Sequence, residues 1–204
     1  MEEYTYNTMN TSMPSCATMR HAAYTKLSGH WLYPVLTMLL YMVVNGAAGC
    51  LCIGSIFVTM PLSFGFCITF LLFMRDMTGD DEMVTRPFHV FRQYGRYLGG
   101  SILVALFTML WTLLLIVPGI VKSYSYRMTA YIMHDNPDIP VSECIRKSQQ
   151  MMSGHKWKLF CLDLSFIGWI LLGIITFGIA MLWVTPYMAT ASAHFYVELK
   201  SRNQ

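Results

Sequence analysis

Two residues of opposite charge stand where charges are expensive. Arg127 lies in "KSYSYRMTAY" and Asp163 in "WKLFCLDLSF", each inside a long apolar run. Asp163 follows Trp157 by six residues, and Arg127 precedes Met133 by six. At about 1.5 Å of rise per helical residue, both sit ~9 Å from the same boundary of their runs. An unpaired charge at mid-membrane costs on the order of 2.5–3.5 kcal/mol, so opposite charges at equal depth on neighbouring segments are expected to pair. Such a pair has two uses. It relays a proton or holds a polar solute, or it fixes the register of two helices, with Arg127 able to reach the boundary along its own stem. Asp163 is too short to do the same. Lys122, Tyr124 and Tyr126 share the run with Arg127 and make it unusually polar. That run is expected to face the interior or line a cavity, with interhelical hydrogen bonds as the plain use of its hydroxyls.

Other chemistry is thinly supported. His134, Asp135, Asp138 and Glu143 bunch together, but not at HExxH or any other metal-ligand spacing. Of six cysteines, Cys50, Cys52, Cys67 and Cys161 sit in apolar runs, and no two form CxxC; they read as small apolar packing residues. No GxxxxGK[ST], GxGxxG or GxSxG motif occurs, which weakens an ATPase, a dinucleotide enzyme or an α/β-hydrolase. No catalytic residue, metal ligand or cofactor is therefore assigned.

The elements that position these residues follow from composition. Only 12% of the 204 residues are charged and 55% are hydrophobic, where soluble domains carry about 25% charged residues. Such a chain lacks the polar surface to cover a globule in water. Six apolar runs stand out, at 31–44, 51–74, 102–117, 120–133, 157–172 and 179–197. They pair through "NGAAG" at 45–49, "PG" at 118–119 and "GIITFG" at 173–178, connections rich in turn formers and free of charge. The intervening joints are basic: with three hairpins, 12 of the 14 Lys and Arg residues fall on one side. Basic joints stay in the cytosol, so both termini are expected there. Pro61 and Pro186 lie within apolar runs and are expected to kink them. Residues 1–17 are polar, lack the pattern of a cleaved signal peptide, and read as a flexible cytoplasmic tail ahead of one membrane domain at 18–204, with hairpins at about 31–74, 102–133 and 157–197.

A repeated phrase suggests how each hairpin is introduced. "SGHW" stands at 28–31 and "SGHKW" at 153–157. Reading back, "RHAAYTKLSG" begins at Arg20 and "RKSQQMMSG" at Arg146; a fainter copy, "RQYGRYLGG", begins at Arg92, with Ser101 in place of the histidine. The unit reads as a basic amphipathic helix, a glycine break and two membrane helices. In the last copy Val141, Cys144, Ile145, Ser148, Met151 and Met152 share one face, with Asp138 placed to cap the start. Such helices lie in the membrane interface. Trp31 and Trp157, with His30 and His155 beside them, are expected at headgroup level. Arg20, Arg92, Arg146, Lys147, Lys156 and Lys158 are expected to attract anionic headgroups, at ~1 kcal/mol each.

The later part of the chain carries more specific phrases. "LWTLLLIVPGIVKSYSYRMTAYIMHDNPDI", "MMSGHKWKLFCLDLSFIGW" and "LWVTPYMATASAHFYVEL", in that order, resemble a bacterial integral-membrane family, the domain-of-unknown-function family numbered 975. That family is distantly similar to the membrane domain fused to some glycerophosphodiester phosphodiesterases. The resemblance implies a polytopic protein of the bacterial cytoplasmic membrane, and it carries over no catalytic residue.

The expected fold is therefore an all-α membrane protein of about six transmembrane helices in three hairpins, each preceded by an interfacial amphipathic helix. The expected role is a non-enzymatic scaffold, regulatory or accessory subunit that contacts anionic lipid and a membrane protein partner or a second copy of itself. Nucleic acid is disfavoured, because the basic joints are interleaved with acids and held at a membrane. A small transporter or export component, using Arg127, Asp163, Lys122, Tyr124 and Tyr126 as a polar path, is the first alternative. An intramembrane enzyme acting on lipid is the second.

Overall fold

A computed structural model describes residues 13–49, 54–75, 81–176 and 178–202, and all regular structure among them is helical. Most of the expected tail (residues 1–12), together with Cys50 and Cys52, lies outside the described residues. The α-helices are α1 (Cys16–Leu27), α2 (Leu32–Gly49), α3 (Gly54–Met74), α4 (Tyr94–Leu114), α5 (Ile116–Tyr126), α6 (Thr129–Asp135), α7 (Val141–Met151), α8 (Lys156–Leu164), α9 (Ile167–Ile175) and α10 (Met181–Arg202). Two 3-10 helices, Asp81–Val84 and Arg86–Gln93, join α3 to α4.

Three helical stretches are long and apolar enough to cross a membrane: Phe57–Met74, Arg86–Leu114 and Lys156–Ile175. A fourth counts if Cys16–Leu27 and Leu32–Ala47, which meet at 96°, act as one bent span. The run expected at 120–133 falls short because it is broken at Arg127–Met128 into two short helices, α5 and α6. Packing follows chain order in part, with α2 against α3, α4 against α5, and α10 against α9; α10 also packs on α1, α2 and α3. Part of the core lies among α3, α6 and α10, with Phe70, Leu71, Met133, Phe195 and Leu199 fully buried. There Tyr131 stacks on Tyr196 with ring centroids 5.0 Å apart.

The two copies of the repeated phrase adopt one local geometry. Ser28 has φ −62° and ψ 121°, Gly29 has φ 94°, and the His30 N–H returns to the Leu27 carbonyl at 3.0 Å. In the second copy Gly154 has φ 80°, and the His155 N–H returns to the Met152 carbonyl at 3.1 Å. Each is a four-residue turn whose third residue lies in the left-handed region that glycine enters without strain. Each ends a helix whose apolar residues are buried: Met19, Ala23 and Leu27 on α1, and Cys144 and Ile145 on α7. Those faces are taken up by the bundle, α1 by α10 and α8, α7 by α4, α5 and α6.

Several expectations need correction. The middle copy has no break: Gly99 and Gly100 are helical residues of α4, and Gly100 is a close approach, where a Cβ would lie 2.7 Å from the Met133 sulfur. The turn expected at Pro118–Gly119 lies at Leu115, which is extended at φ −158° and ψ 130°. Pro118 then falls in the first turn of α5, where its missing N–H costs nothing. Gly119 instead lets the two helices meet, since a Cβ there would lie 2.5 Å from Thr112 Oγ1. Asp138 does not cap α7; Pro140 holds the N-cap position. Pro61 and Pro186, expected to kink their runs, lie inside the helices α3 and α10, each of which continues past its proline.

Candidate functional site

Arg127 follows the last residue of α5, and Asp163 is the next-to-last residue of α8. Arg127 Nη1 donates to Asp163 Oδ2 at 2.9 Å, and Nη2 lies 3.5 Å from Oδ1. The Tyr124 hydroxyl donates to the same Oδ2 at 3.0 Å, and the guanidinium sits 5.8 Å from the centre of the Tyr124 ring. The Asp163 side chain is 18% exposed and that of Arg127 39%. The fold thus brings together three of the five residues expected at a polar site. Lys122 and Tyr126 stand elsewhere. The Lys122 ammonium lies over the Trp111 ring at 4.7 Å, and buried Tyr126 packs on Phe107, with centroids 6.2 Å apart.

Both helical segments break beside this pair, at Arg127–Met128 and at Ser165–Phe166. A break in an apolar setting frees backbone carbonyls that must find donors. The Ser125 carbonyl receives the Ser148 hydroxyl of α7 at 2.7 Å. The Ser165 carbonyl receives Arg20 Nη1 of α1 at 3.1 Å. The helices that end in the two "SGH" turns therefore each send a polar side chain to a carbonyl beside a break. Arg20, expected at headgroups, is spent inside the protein.

The other expected lipid contacts divide. Lys158 Nζ donates to the Met13 carbonyl at 2.9 Å. Arg146 is exposed and pairs with Glu143 at 2.6 Å. Arg92 is exposed, and Lys147 and Lys156 are half-buried. Of the expected anchors, Trp157 is exposed with Phe160 alongside at 5.3 Å. Trp31 is half-buried and meets Tyr24 at 6.3 Å. His30 is exposed. Burial, then the charges of Lys158 and Arg202, push the His155 imidazole below its usual value.

A second polar cluster was not foreseen. Asp135 ends α6 and accepts the Arg75 guanidinium through both oxygens, at 2.7 and 2.9 Å. Lys200 Nζ at 2.6 Å and the Tyr196 hydroxyl at 2.8 Å complete the shell from α10, and His134 Nδ1 lies 3.6 Å away. The carboxylate side chain is 6% exposed. Burial alone would raise its pKa; the nearby His134 imidazole and the bonds from Arg75, Lys200 and Tyr196 outweigh burial and hold it well below the usual carboxylate range. Arg75, Asp135 and Lys200 all fall at basic-side ends of their segments, but that shared level alone does not say that they meet. Arg96 secures the neighbouring loop, donating to the carbonyls of Asn136, at 2.7 Å, and Pro137. Among the described residues, no group of three or more His, Cys, Asp or Glu side chains is placed to hold a metal ion.

The profile of a family described as "Protein of unknown function (DUF975)" matches residues 50–203, about three quarters of the chain and all of both clusters except Arg20. No curated protein and no solved structure matches the chain.

Proposed function

We propose that this chain, which belongs to the DUF975 family of proteins of unknown function, is a multi-pass protein of the bacterial cytoplasmic membrane that acts without catalysis, as a lipid-contacting scaffold or accessory subunit. Its helices form three hairpins, α2–α3, α4–α6 and α8–α10, with basic joints and both termini in the cytosol. α1 and α7, their apolar faces turned into the bundle, lie at the inner boundary, where exposed basic side chains such as Arg92 and Arg146 meet anionic lipid, and a membrane protein or second copy of the chain is the natural partner.

One observation carries the membrane reading. Leu113, Leu114, Leu115, Ile116 and Val117 form an unbroken apolar run, each between 62% and 80% exposed. Ile174 and Ile175 repeat this at the tip of α9, at 67% and 73%. In water such a surface drives aggregation; in hydrocarbon it is simply solvated. The Asp135 cluster gathers at the other end of α4, about 30 Å away by helical rise. A structural role is favoured because Arg127, Asp163 and Tyr124 satisfy one another and Lys122 turns to Trp111. The test is topology reporters fused at Gly46, Leu115 and Thr176, each expected outside the cytosol, together with native mass spectrometry from mild detergent, expected to show retained lipid. A cytosolic signal at any reporter, or a monodisperse protein in detergent-free buffer, overturns the reading.

A second reading, a small transporter, is favoured by the helix breaks beside the Arg127–Asp163 pair, since broken helices frame ion sites in transporters. It predicts that Asp163→Asn abolishes ion or proton flux in proteoliposomes while leaving thermal stability intact.

A further inference from the structure

The 3-10 helix Arg86–Gln93 runs for eight residues, where runs longer than three or four are uncommon. At three residues per turn, side chains three apart line up on one edge. "RPFHVFRQY" therefore sorts into three stripes. Pro87 and Val90 are the buried stripe. They lie against α3 at Gly65, where a Cβ would stand 2.9 Å from Val90 Cγ2 and closer still to the Pro87 carbonyl. Phe88, Phe91 and Tyr94 are the aromatic stripe, stacked at 6.3 and 5.9 Å. Arg86, His89 and Arg92 are the third, and all three line a cavity of about 510 Å³ between this helix, α3 and the end of α6.

We infer that this cavity binds a phosphate group, through the aligned Arg86, His89 and Arg92 on one wall and His134 on the other. Its size falls in the range of about 300–1,000 Å³ typical of small-ligand sites. Among the described residues, no carboxylate lines it; Gln93 and Tyr97 add neutral donors, and Ile68 and Leu72 of α3 give it an apolar side. Glu82 holds Arg86 through Nε and Nη2, which fixes the guanidinium plane and leaves Nη1 for a ligand. Arg92 has no ion pair among the described residues. The buried His134 Nδ1 has no hydrogen bond, and Asp135, 3.6 Å from it, is already neutralised by Arg75 and Lys200. Planar guanidinium forks match phosphate oxygens. The aromatic stripe beside the basic one favours a lipid as the carrier of the phosphate, since aromatic side chains settle at headgroup level. Only that choice of carrier rests on the lipid-contacting role proposed above.

The test is calorimetric titration of the full chain in a nonionic detergent with dihexanoyl phosphatidic acid and, separately, with inorganic phosphate. Saturable binding of the short-chain lipid is expected, weakened at least about ten-fold by Arg92→Gln, one charge-assisted contact, and unchanged by Lys26→Gln on α1. Arg92 is exposed, so the variant is expected to unfold at the wild-type temperature. Equal affinity for inorganic phosphate assigns a soluble phosphate compound; binding of the lipid alone assigns the headgroup. Binding of neither, or equal affinities for wild type and Arg92→Gln, overturns the inference, and the topology reporters test the membrane reading independently.

Discussion

The Tyr94 hydroxyl donates to the Phe57 carbonyl at 3.1 Å, and Phe57 is four residues ahead of Pro61. The relationship is a repair. Pro61 has no N–H, so the carbonyl four residues back loses its helical partner. The side chain that ends the aromatic stripe of the 3-10 helix supplies the donor, and α3 continues through its proline.

Tyr94→Phe is accordingly expected to destabilise the protein by about 0.5–1.5 kcal/mol, the net worth of one hydrogen bond. In a Pro61→Ala background residue 61 regains its N–H, and the same change should cost a few tenths of a kcal/mol. Thermal unfolding of the four proteins in one detergent measures the coupling. Equal costs in both backgrounds would refute the repair.

Asp135 gives stability a definite pH dependence. Its folded pKa lies below its unfolded value, near 4 for an ordinary aspartate. The unfolded chain therefore binds the proton first on acidification. The stability this group contributes is complete above about pH 5 and is lost as pH falls toward the folded value, by up to about 1.4 kcal/mol per unit. Unfolding temperatures measured from pH 7 to pH 3 should fall most steeply below pH 4. Asp135→Asn should flatten that slope and lower stability at pH 7 by about 2–4 kcal/mol, because Arg75 and Lys200 keep their charges and lose their shared partner.

For Arg127 and Asp163 a double-mutant cycle decides between register and relay. Asp163→Asn should destabilise by about 1–2 kcal/mol, discounted because the Arg127 side chain is 39% exposed. Adding Arg127→Gln should recover part of that loss, giving a coupling of at least about 0.5 kcal/mol. No stability loss, combined with abolished proton flux in proteoliposomes, would move the pair from structure to transport.

The pairing of Arg127 with Asp163 was legible in the sequence because depth along two apolar runs follows from residue counting. The helix ends at Gly29 and Gly154 were legible because a glycine after an amphipathic stretch is a local signal. The Asp135 cluster was not, since it depends on three segment ends, at Arg75, Asp135 and Lys200, meeting in space. Nor was the break at Arg127–Met128: the run from 120 to 133 has the composition of one continuous helix. The stripe of Arg86, His89 and Arg92 is periodic in the sequence, but with period three. A search for the 3.6 of an α-helix or the 2 of a strand passes over it. The turn at Leu115 was misplaced because Pro118–Gly119 carries the usual turn residues, and their use as a helix start and a helix contact shows only in three dimensions.

Three glycines of the repeated phrases offer the sharpest test of this reading, because the two that end helices and Gly99, one residue ahead of the third phrase's matching Gly100, should respond with opposite sign. Gly29 and Gly154 have φ of 94° and 80°, with no atom near the position of an added Cβ. Alanine there meets no clash but must hold a left-handed backbone, at about 1–2 kcal/mol each. Gly99 also has open space around it, yet lies inside α4 in ordinary helical geometry. Alanine there removes chain entropy from the unfolded state and should stabilise by about 0.5–1 kcal/mol. Unfolding temperatures of the three single variants should therefore fall, fall and rise. A loss at Gly99, which stands where Ser28 and Ser153 stand in the other two phrases, would mean that α4 is not ordinary helix at that point.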